Sequence, residues 1–325
     1  MKNRRSFNLR LLILFLLGFW LGASAQALPQ FTRIQPLTNR EIGLTLTGQP
    51  AAYFQIDAAT NLSAWDGLVT AASGATSSIQ YTDSAAPFLG ARFYRAQQLS
   101  VTNVFTGDHF PTTNGDVLIH PDHHATLILN WQGNTVYVDP TNSAGYGGLP
   151  KADLLLVTHA HFDHFNSSGI NAVIKTNSLI VTSQDVYNQL TATQKSIARV
   201  LGYGASTNVF GLNVQAVPAY NSYHPLGTGN GYVLTIAGRR IFISGDTGNT
   251  SEMRALTNID LAFVCMNQPY TMTVSEATNA VSAFHPKIVY PYHYRDQSGA
   301  SANAALFKQR LRPDLGIEVR LRNWY

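Results

Sequence analysis

The chain has 325 residues, of which 45% are hydrophobic and only 12% are charged, and its formal net charge is +4. This composition provides for a large apolar core in about two domains and argues against a disordered chain. Residues 1–25 contain four basic and no acidic residues, so the remainder holds 18 of each kind. That balance argues against a nucleic-acid-binding protein.

The first 25 residues have the pattern of a secretory signal peptide. Basic side chains precede an apolar run over residues 11–22, and Ala23-Ser24-Ala25 follows as a small-residue cleavage site. We therefore predict export to the periplasm or the medium. A membrane anchor is the alternative, but the run is shorter than the roughly 20 apolar residues of a spanning helix, so we expect no stable anchor.

Residues 28–100 predict a small β-sandwich. Short apolar or alternating segments are separated by turn residues, with no helical period, at 42–46, 53–56, 68–69, 79–81 and 92–96. The pattern from Tyr53 through Asp57 to Trp65, with Phe93-Tyr94-Arg95-Ala96 at its end, resembles a fibronectin type III-like accessory module of exported bacterial proteins. It contains no cluster of His, Asp or Glu, so we assign it no chemistry.

Residues 101–325 predict an α/β domain. Strands are expected at 125–129, 135–138, 154–157, 179–181, 214–217, 232–236, 241–244, 261–264, 288–290 and 317–321. Helices are expected near 166–175, 192–201, 274–284 and 302–311. Thr273 and Glu276 form a capping-box pattern at the start of the third helix. The single cysteine, Cys265, lies in an apolar run and is expected to be a buried thiol.

A dense cluster of metal-binding side chains follows the strand at 154–157. Within the segment Thr158-His159-Ala160-His161-Phe162-Asp163-His164, four side chains are imidazoles or carboxylates. Neutral imidazole and carboxylate are ligands that Zn2+ and related cations prefer, and a strand end holds them rigidly. The segment predicts a metal site.

The same segment matches the H-x-H-x-D-H signature of the metallo-β-lactamase superfamily, which the chain resembles over about residues 115–321. Further parallels are an early strand ending in Asp139, the segment before His224, the Gly245-Asp246-Thr247 turn, and Tyr292-His293-Tyr294. The chain is most similar to the UlaG-like branch, which includes ascorbate-6-phosphate lactonase. The resemblance implies an αββα sandwich, preceded here by the small all-β sandwich.

The resemblance also implies two divalent cations and a ligand set. His159, His161 and His224 would hold the first cation, and Asp163, His164 and His293 the second. Asp246 would bridge them. Zn2+ is the first expectation, and Mn2+ or Fe would also fit. A hydroxide bridging the cations would then attack a lactone, ester, amide or phosphoester, with Asp163 and Asp246 as the catalytic carboxylates.

Four residues near these ligands are candidates for supporting roles. Asp139 is expected to orient a metal-binding histidine, with a helix or turn cap as the alternative. His124 is expected to line the site, and Tyr292 or Tyr294 to donate a hydrogen bond to a developing oxyanion. Three of the candidate ligands also have an alternative, purely structural role. Asp246 could be a turn residue, His293 a packed core residue, and His224 a surface-loop residue.

The leading hypothesis is thus an exported hydrolase of a small molecule that uses two metal ions. One alternative is a secreted binding module without catalysis, whose working part is residues 28–100. Another is a true β-lactamase, against which the UlaG-like pattern argues. The substrate, the metal and the oligomeric state leave no motif in the sequence.

Overall fold

The computed structural model describes residues 28–100, 104–142, 146–296, 298–311 and 315–325. The predicted signal peptide lies outside these residues. The chain divides into two compact units, one ending at Pro111 and the other beginning at Thr112. The sequence-based division at residue 101 falls earlier than this contact boundary, because a strand that begins at Gly107 pairs within the first unit.

The first unit is an all-β sandwich. One sheet has the order β1-β2-β5, and β7, β4, β3 and β6 are neighbours in that order in the other. Burial alternates along β2, where Ile42, Leu44 and Leu46 face a core that also contains Phe54 and Ile56 of β3, the two-residue period of a strand with one buried face. Its strands are β1 Gln30–Pro36, β2 Ile42–Thr47, β3 Tyr53–Ala59, β4 Asp66–Ala72, β5 Ser78–Asp83, β6 Phe93–Leu99 and β7 Gly107–Thr112.

The second unit is built on two sheets. The first has the order β13-β12-β11-β10-β9-β8, with strands β8 Gly115–His123, β9 Thr126–Trp131, β10 Asn134–Val138, β11 Leu154–Val157, β12 Leu179–Thr182 and β13 Ala198–Val200. The second runs from β14 to β20 in chain order, with strands β14 Ser206–Val209, β15 Leu212–Ala219, β16 Gly229–Ile236, β17 Arg239–Ile243, β18 Leu261–Cys265, β19 Ile288–Tyr292 and β20 Glu318–Val319.

In the described part of this unit, six helices complete the αββα fold. The predicted capping box is confirmed, since Thr273 and Glu276 exchange hydrogen bonds at the start of the longest helix. The helix predicted at 192–201 is wrong in its second half, because the chain leaves it after Ser196 to form edge strand β13. The helices are α1 Ser167–Val173, α2 Gln184–Gln189, α3 Ala192–Ser196, α4 Ser251–Arg254, α5 Val274–Phe284 and α6 Ala304–Arg310.

Hydrogen bonds join the two sheets at the end of β11. The Tyr232 hydroxyl of β16 donates to the Val157 carbonyl at 2.8 Å, and the Asn230 amide donates to the Thr158 carbonyl at 2.8 Å. Parallel pairing of β10, β11 and β12 places their carboxyl ends at one edge. The loops that leave this edge are therefore held on a rigid base.

Among the described residues, none of the helices has the length and apolar character needed to span a membrane.

Candidate metal centre

The segment from His159 to His164 leaves the carboxyl end of β11. All four residues of β11 are buried, which explains its apolar sequence, since a parallel strand covered on both faces has no solvent side. The loop then turns back, with the amides of His164 and Phe165 both donating to the His161 carbonyl. Asn166 ends the turn by capping α1. The four metal-binding side chains are thereby held between a strand and a helix.

Asp139, at the end of the neighbouring strand β10, fixes the orientation of His164. Its Oδ2 lies 2.8 Å from His164 Nδ1, and both side chains are fully buried. The same carboxylate accepts the Thr158 amide at 2.8 Å and the Thr158 hydroxyl at 2.7 Å. With Nδ1 engaged in this way, the Nε2 lone pair of His164 points into the cluster.

His224 and Asp246 reach the cluster from the second sheet. His224 follows β15, and its Nδ1 lies 3.0 Å from Asn221 Oδ1 while its Nε2 lies 3.1 Å from His161 Nδ1. Asp246 follows β17 and Gly245. Gly245 has a φ of +59°, which favours glycine, and a Cβ there would lie tightly, at 3.0 Å, against the Asn230 carbonyl oxygen. Asp246 Oδ2 is 3.5 Å from His224 Nε2, so the two loops meet.

Asp246 also faces the other half of the cluster. Its Oδ1 lies 3.3 Å from His164 Nε2 and 3.4 Å from His293 Nε2. His293 follows β19 with a φ of +45°, and its Nε2 is 3.5 Å from Asp163 Oδ2. His124 Nε2 is 3.1 Å from the same oxygen. The seven ligands that the resemblance implies therefore converge, and His124 stands beside them.

The ligand atoms form three compact groups that could hold a cation. In each group the atoms lie within 4.8 Å of one another, and the groups are His159, His161 and His224; His124, Asp163 and His293; and His159, His164 and Asp246.

Burial and neighbouring charges set the protonation of the cluster. Burial, together with the nearby His164, lowers the pKa of His159 well below its ordinary value, and burial lowers the pKa of His224 to about 4. Burial opposes ionisation of Asp246 and Asp163, but the adjacent histidines outweigh it and lower both carboxyl pKa values. Burial opposes protonation of His164, but the carboxylates of Asp246 and Asp139 outweigh it and raise the pKa of His164 well above its ordinary value. The neutral imidazoles of His159 and His224 and the two ionised carboxylates are in the protonation states that bind divalent cations, and His164 would release its proton on binding one.

Several of these atoms have no hydrogen-bond partner among the residues that the structure describes. His159 Nε2, His164 Nε2, His293 Nε2 and Asp246 Oδ1 are buried and unpaired by hydrogen-bond geometry. Leaving a buried polar atom unpaired costs about 1–3 kcal/mol, and native proteins rarely tolerate several side by side. Cations at the point where the atoms converge would satisfy them, so the residues fit a metal centre.

The two tyrosines predicted as oxyanion donors have other contacts. Tyr292 is fully buried, and its hydroxyl accepts the Gly245 amide at 3.0 Å, which places it behind the Asp246 turn. Tyr294 donates to the Arg322 carbonyl at 3.4 Å. Sequence reasoning missed Asn221, although it lies three residues before His224, and Tyr325, whose hydroxyl is 3.2 Å from His124 Nδ1. No local signal connects positions 201 residues apart.

Known proteins match the part of the chain that carries this cluster. The family model of the β-lactamase superfamily domain matches residues 119–293, which include every ligand named above. A UPF0173 metal-dependent hydrolase of Thermococcus onnurineus is 33% identical over 188 residues, covering 54% of this chain and 83% of its own. Another from Thermus thermophilus is 31% identical over 209 residues, covering 60% and 91%.

A solved structure has the same fold as the matched part of the chain. A Parabacteroides distasonis protein designated a metal-dependent hydrolase superposes with a TM-score of 0.61 at 39% identity, covering 67% of this chain and 99% of its own.

Proposed function

Because the chain belongs to the metallo-β-lactamase superfamily, in which its relatives are named metal-dependent hydrolases, we propose that it hydrolyses a small molecule with two bound divalent cations. The observation that carries this proposal is the convergence of seven His and Asp side chains, several with buried unpaired atoms. In the proposed assignment, one cation takes His159, His161 and His224. The other takes Asp163, His164 and His293, with Asp246 between them.

The proposed metal is Zn2+, with Mn2+ or Fe as the alternatives. Mixed imidazole and carboxylate ligands suit all three. When bound, such cations supply Lewis acidity and activate water for hydrolysis. Residues of the chain orient the ligands: Asp139 keeps His164 in one orientation, and Asn221 does the same for His224. Asp163 and Asp246 are the carboxylates available to take the proton of the attacking water.

A cysteine nucleophile is a poor alternative to water. Cys265 is fully buried, and burial raises its pKa to about 11. A thiol in that state is protonated at neutral pH and out of reach of substrate. Hydrolysis by direct attack of water, which adds its oxygen to the scissile carbonyl carbon or phosphorus as the leaving group takes up a proton, is the pathway that the cluster supports.

We propose a lactone, ester or amide with an apolar portion as the first substrate class, and a phosphoester as the second. Large aromatic side chains are exposed next to the ligands: Phe162, between His161 and Asp163, is 69% exposed and Tyr223, beside His224, is 48% exposed. The Tyr223 ring contacts that of Tyr270 at 5.3 Å. Such surfaces favour apolar ligand groups. Membership of the UlaG-like, lactonase-like branch would make a lactone the leading candidate.

The test is turnover on a panel of lactones, esters, amides, phosphodiesters and a chromogenic β-lactam, before and after metal removal. We expect hydrolysis of at least one carbonyl substrate, loss on chelation, and recovery on adding Zn2+. His161→Ala should reduce kcat/KM by at least about 100-fold, since it removes one cation ligand. Activity that survives both chelation and this substitution would reject the proposal. Turnover of the β-lactam would support the β-lactamase alternative.

We further propose that residues 1–25 direct export and are removed, and that residues 28–100 are a fibronectin type III-like accessory module. The basic, apolar and small-residue order of residues 1–25 supports export. Expression of the full chain in a bacterial host tests this. We expect the protein in the periplasm or medium with an N-terminus near Gln26. Retention in the cytoplasm with Met1 intact would contradict export. Glycan or cell-wall binding by the module without any turnover would instead favour the binding-module alternative.

A further inference from the structure

Tyr325 contacts the metal centre through His124. Its hydroxyl lies 3.2 Å from His124 Nδ1, and the two rings meet edge to face at 5.9 Å. The opposite nitrogen, His124 Nε2, lies 3.1 Å from Asp163 Oδ2. Tyrosine, histidine and the cation-binding carboxylate therefore form a continuous chain of hydrogen bonds.

Donor and acceptor capacities fix the direction of this chain. The Tyr325 hydroxyl accepts the Arg295 amide at 3.1 Å, and its one hydrogen is then available to His124 Nδ1. A neutral imidazole has one donor nitrogen and one acceptor nitrogen. If Nδ1 accepts from Tyr325, the ring hydrogen is on Nε2 and is donated to Asp163.

Backbone hydrogen bonds also fix the position of His124. His124 has a φ of +57°, a conformation that costs a residue other than glycine on the order of 1–3 kcal/mol. Its amide donates to the Trp324 carbonyl at 3.1 Å, and its carbonyl accepts the His293 amide at 3.2 Å. Trp324 is fully buried against Tyr292, at 5.9 Å between ring centroids. Backbone hydrogen bonds through His124 thus connect the segment that contains Tyr325 to the loop of the candidate ligand His293.

We propose that Tyr325 is a positioning residue of the metal centre: it fixes His124 as a hydrogen-bond donor, and His124 in turn aims Asp163 at the cation. His124 on this account supports a ligand and is not a ligand itself. The inference rests on the proposed function, since it assigns a role toward the cation that Asp163 would hold.

Tyr325→Phe tests the hydroxyl alone, because the ring and its packing are retained. Zn2+ affinity of the purified protein is measured by competition with a chromophoric chelator, and folding by thermal denaturation. We expect the dissociation constant of the more weakly bound Zn2+ to rise about 10-fold, as it does when other groups that orient a metal ligand are removed. His123→Ala is the matched control, because it removes an exposed ring that touches the Tyr325 ring at 5.6 Å without a hydrogen bond to it. It should leave both Zn2+ affinities within about twofold of wild type.

Two substitutions of His124 separate a donor from a ligand. The side-chain amide of His124→Gln can still donate toward Asp163 from nearly the position of Nε2, whereas His124→Ala cannot. We expect Gln to retain Zn2+ affinity close to wild type and Ala to lose it by about 10–100-fold. In the metal-free wild type, 15N spectra of labelled histidine should show the His124 hydrogen on Nε2, and Tyr325→Phe should disturb that preference.

The outcomes distinguish this inference from the proposed function. A wild-type protein that binds no Zn2+ would reject both. A wild type that binds Zn2+, with Tyr325→Phe unchanged in affinity, would overturn the role of Tyr325 alone. Equal loss in His124→Gln and His124→Ala would identify His124 as a direct ligand and overturn its role as a donor.

Discussion

At the scale of single residues, several side chains hydrogen-bond the candidate ligands or their neighbours and can hold them in one orientation. Sequence patterns singled out the residues that converge in the cluster, with Asp139 beside them, because the H-x-H-x-D-H spacing, the Gly245-Asp246-Thr247 turn and a strand ending in Asp are local features. They did not predict Tyr325 as a support, because its contact with His124 arises only when distant segments fold together. They also missed Asn221, although it is local to His224, because an Asn three residues before a His is a common loop composition. The predicted oxyanion role of Tyr292 does not fit its burial and its bond to Gly245.

Asp139→Asn provides a direct test of such a support. The carboxylate accepts from three donors, the Thr158 amide, the Thr158 hydroxyl and His164 Nδ1, whereas an amide has one accepting oxygen and must turn its NH2 group toward one of them. We expect Zn2+ affinity to fall about 10–100-fold. Asp153→Asn is the control. Asp153 lies just before β11 and outside the cluster, and its carboxylate accepts a hydrogen bond from the Thr135 amide. Equal affinities in the two variants would contradict the orienting role.

At the scale of secondary structure, the strands that carry ligands were the most predictable elements. The apolar segment at 154–157 coincides with β11, because full burial on both faces imposes a continuous apolar run. Two other strands were not predictable: the nine-residue β8 contains His120 and Pro121 and lacks a clear pattern, and the three-residue edge strand β13 falls within the segment predicted as a helix over 192–201. Residues 198–200 form a strand because they pair with β12, a tertiary contact that a local sequence pattern does not reveal.

The connection between the sheets is testable at Tyr232. Its buried hydroxyl donates to the Val157 carbonyl, next to the ligand loop, and lies 3.3 Å from the Val181 carbonyl. Tyr232→Phe should lower the free energy of unfolding by about 1–2 kcal/mol, the cost of a lost buried hydrogen bond. Tyr220→Phe, which removes a surface bond to Glu252, should change it by less than about 0.5 kcal/mol. Urea denaturation of both variants measures the difference, and equal stabilities would show that the bond contributes nothing.

At the scale of the whole molecule, the fold class was predictable because composition and strand order changed along the chain. Short alternating segments predicted the all-β first unit, and strands interspersed with helices predicted an α/β second unit. The αββα arrangement of the second unit was implied by the family resemblance. The contact boundary at Pro111 was not predictable, since β7 pairs with β4 across a long stretch of sequence. The near-zero charge balance outside residues 1–25 is consistent with a small-molecule substrate, for which no nucleic-acid surface is needed.

We propose that one centre for two cations is formed by seven side chains, those of His159, His161, Asp163, His164, His224, Asp246 and His293. Elemental analysis of the protein after loading with Zn2+ and removal of the excess measures this stoichiometry. We expect about two Zn2+ per chain, and fewer than one in Asp246→Ala, since Asp246 faces both halves of the cluster. A wild-type protein that retains no Zn2+, or an Asp246→Ala variant that retains as much as wild type, would contradict it.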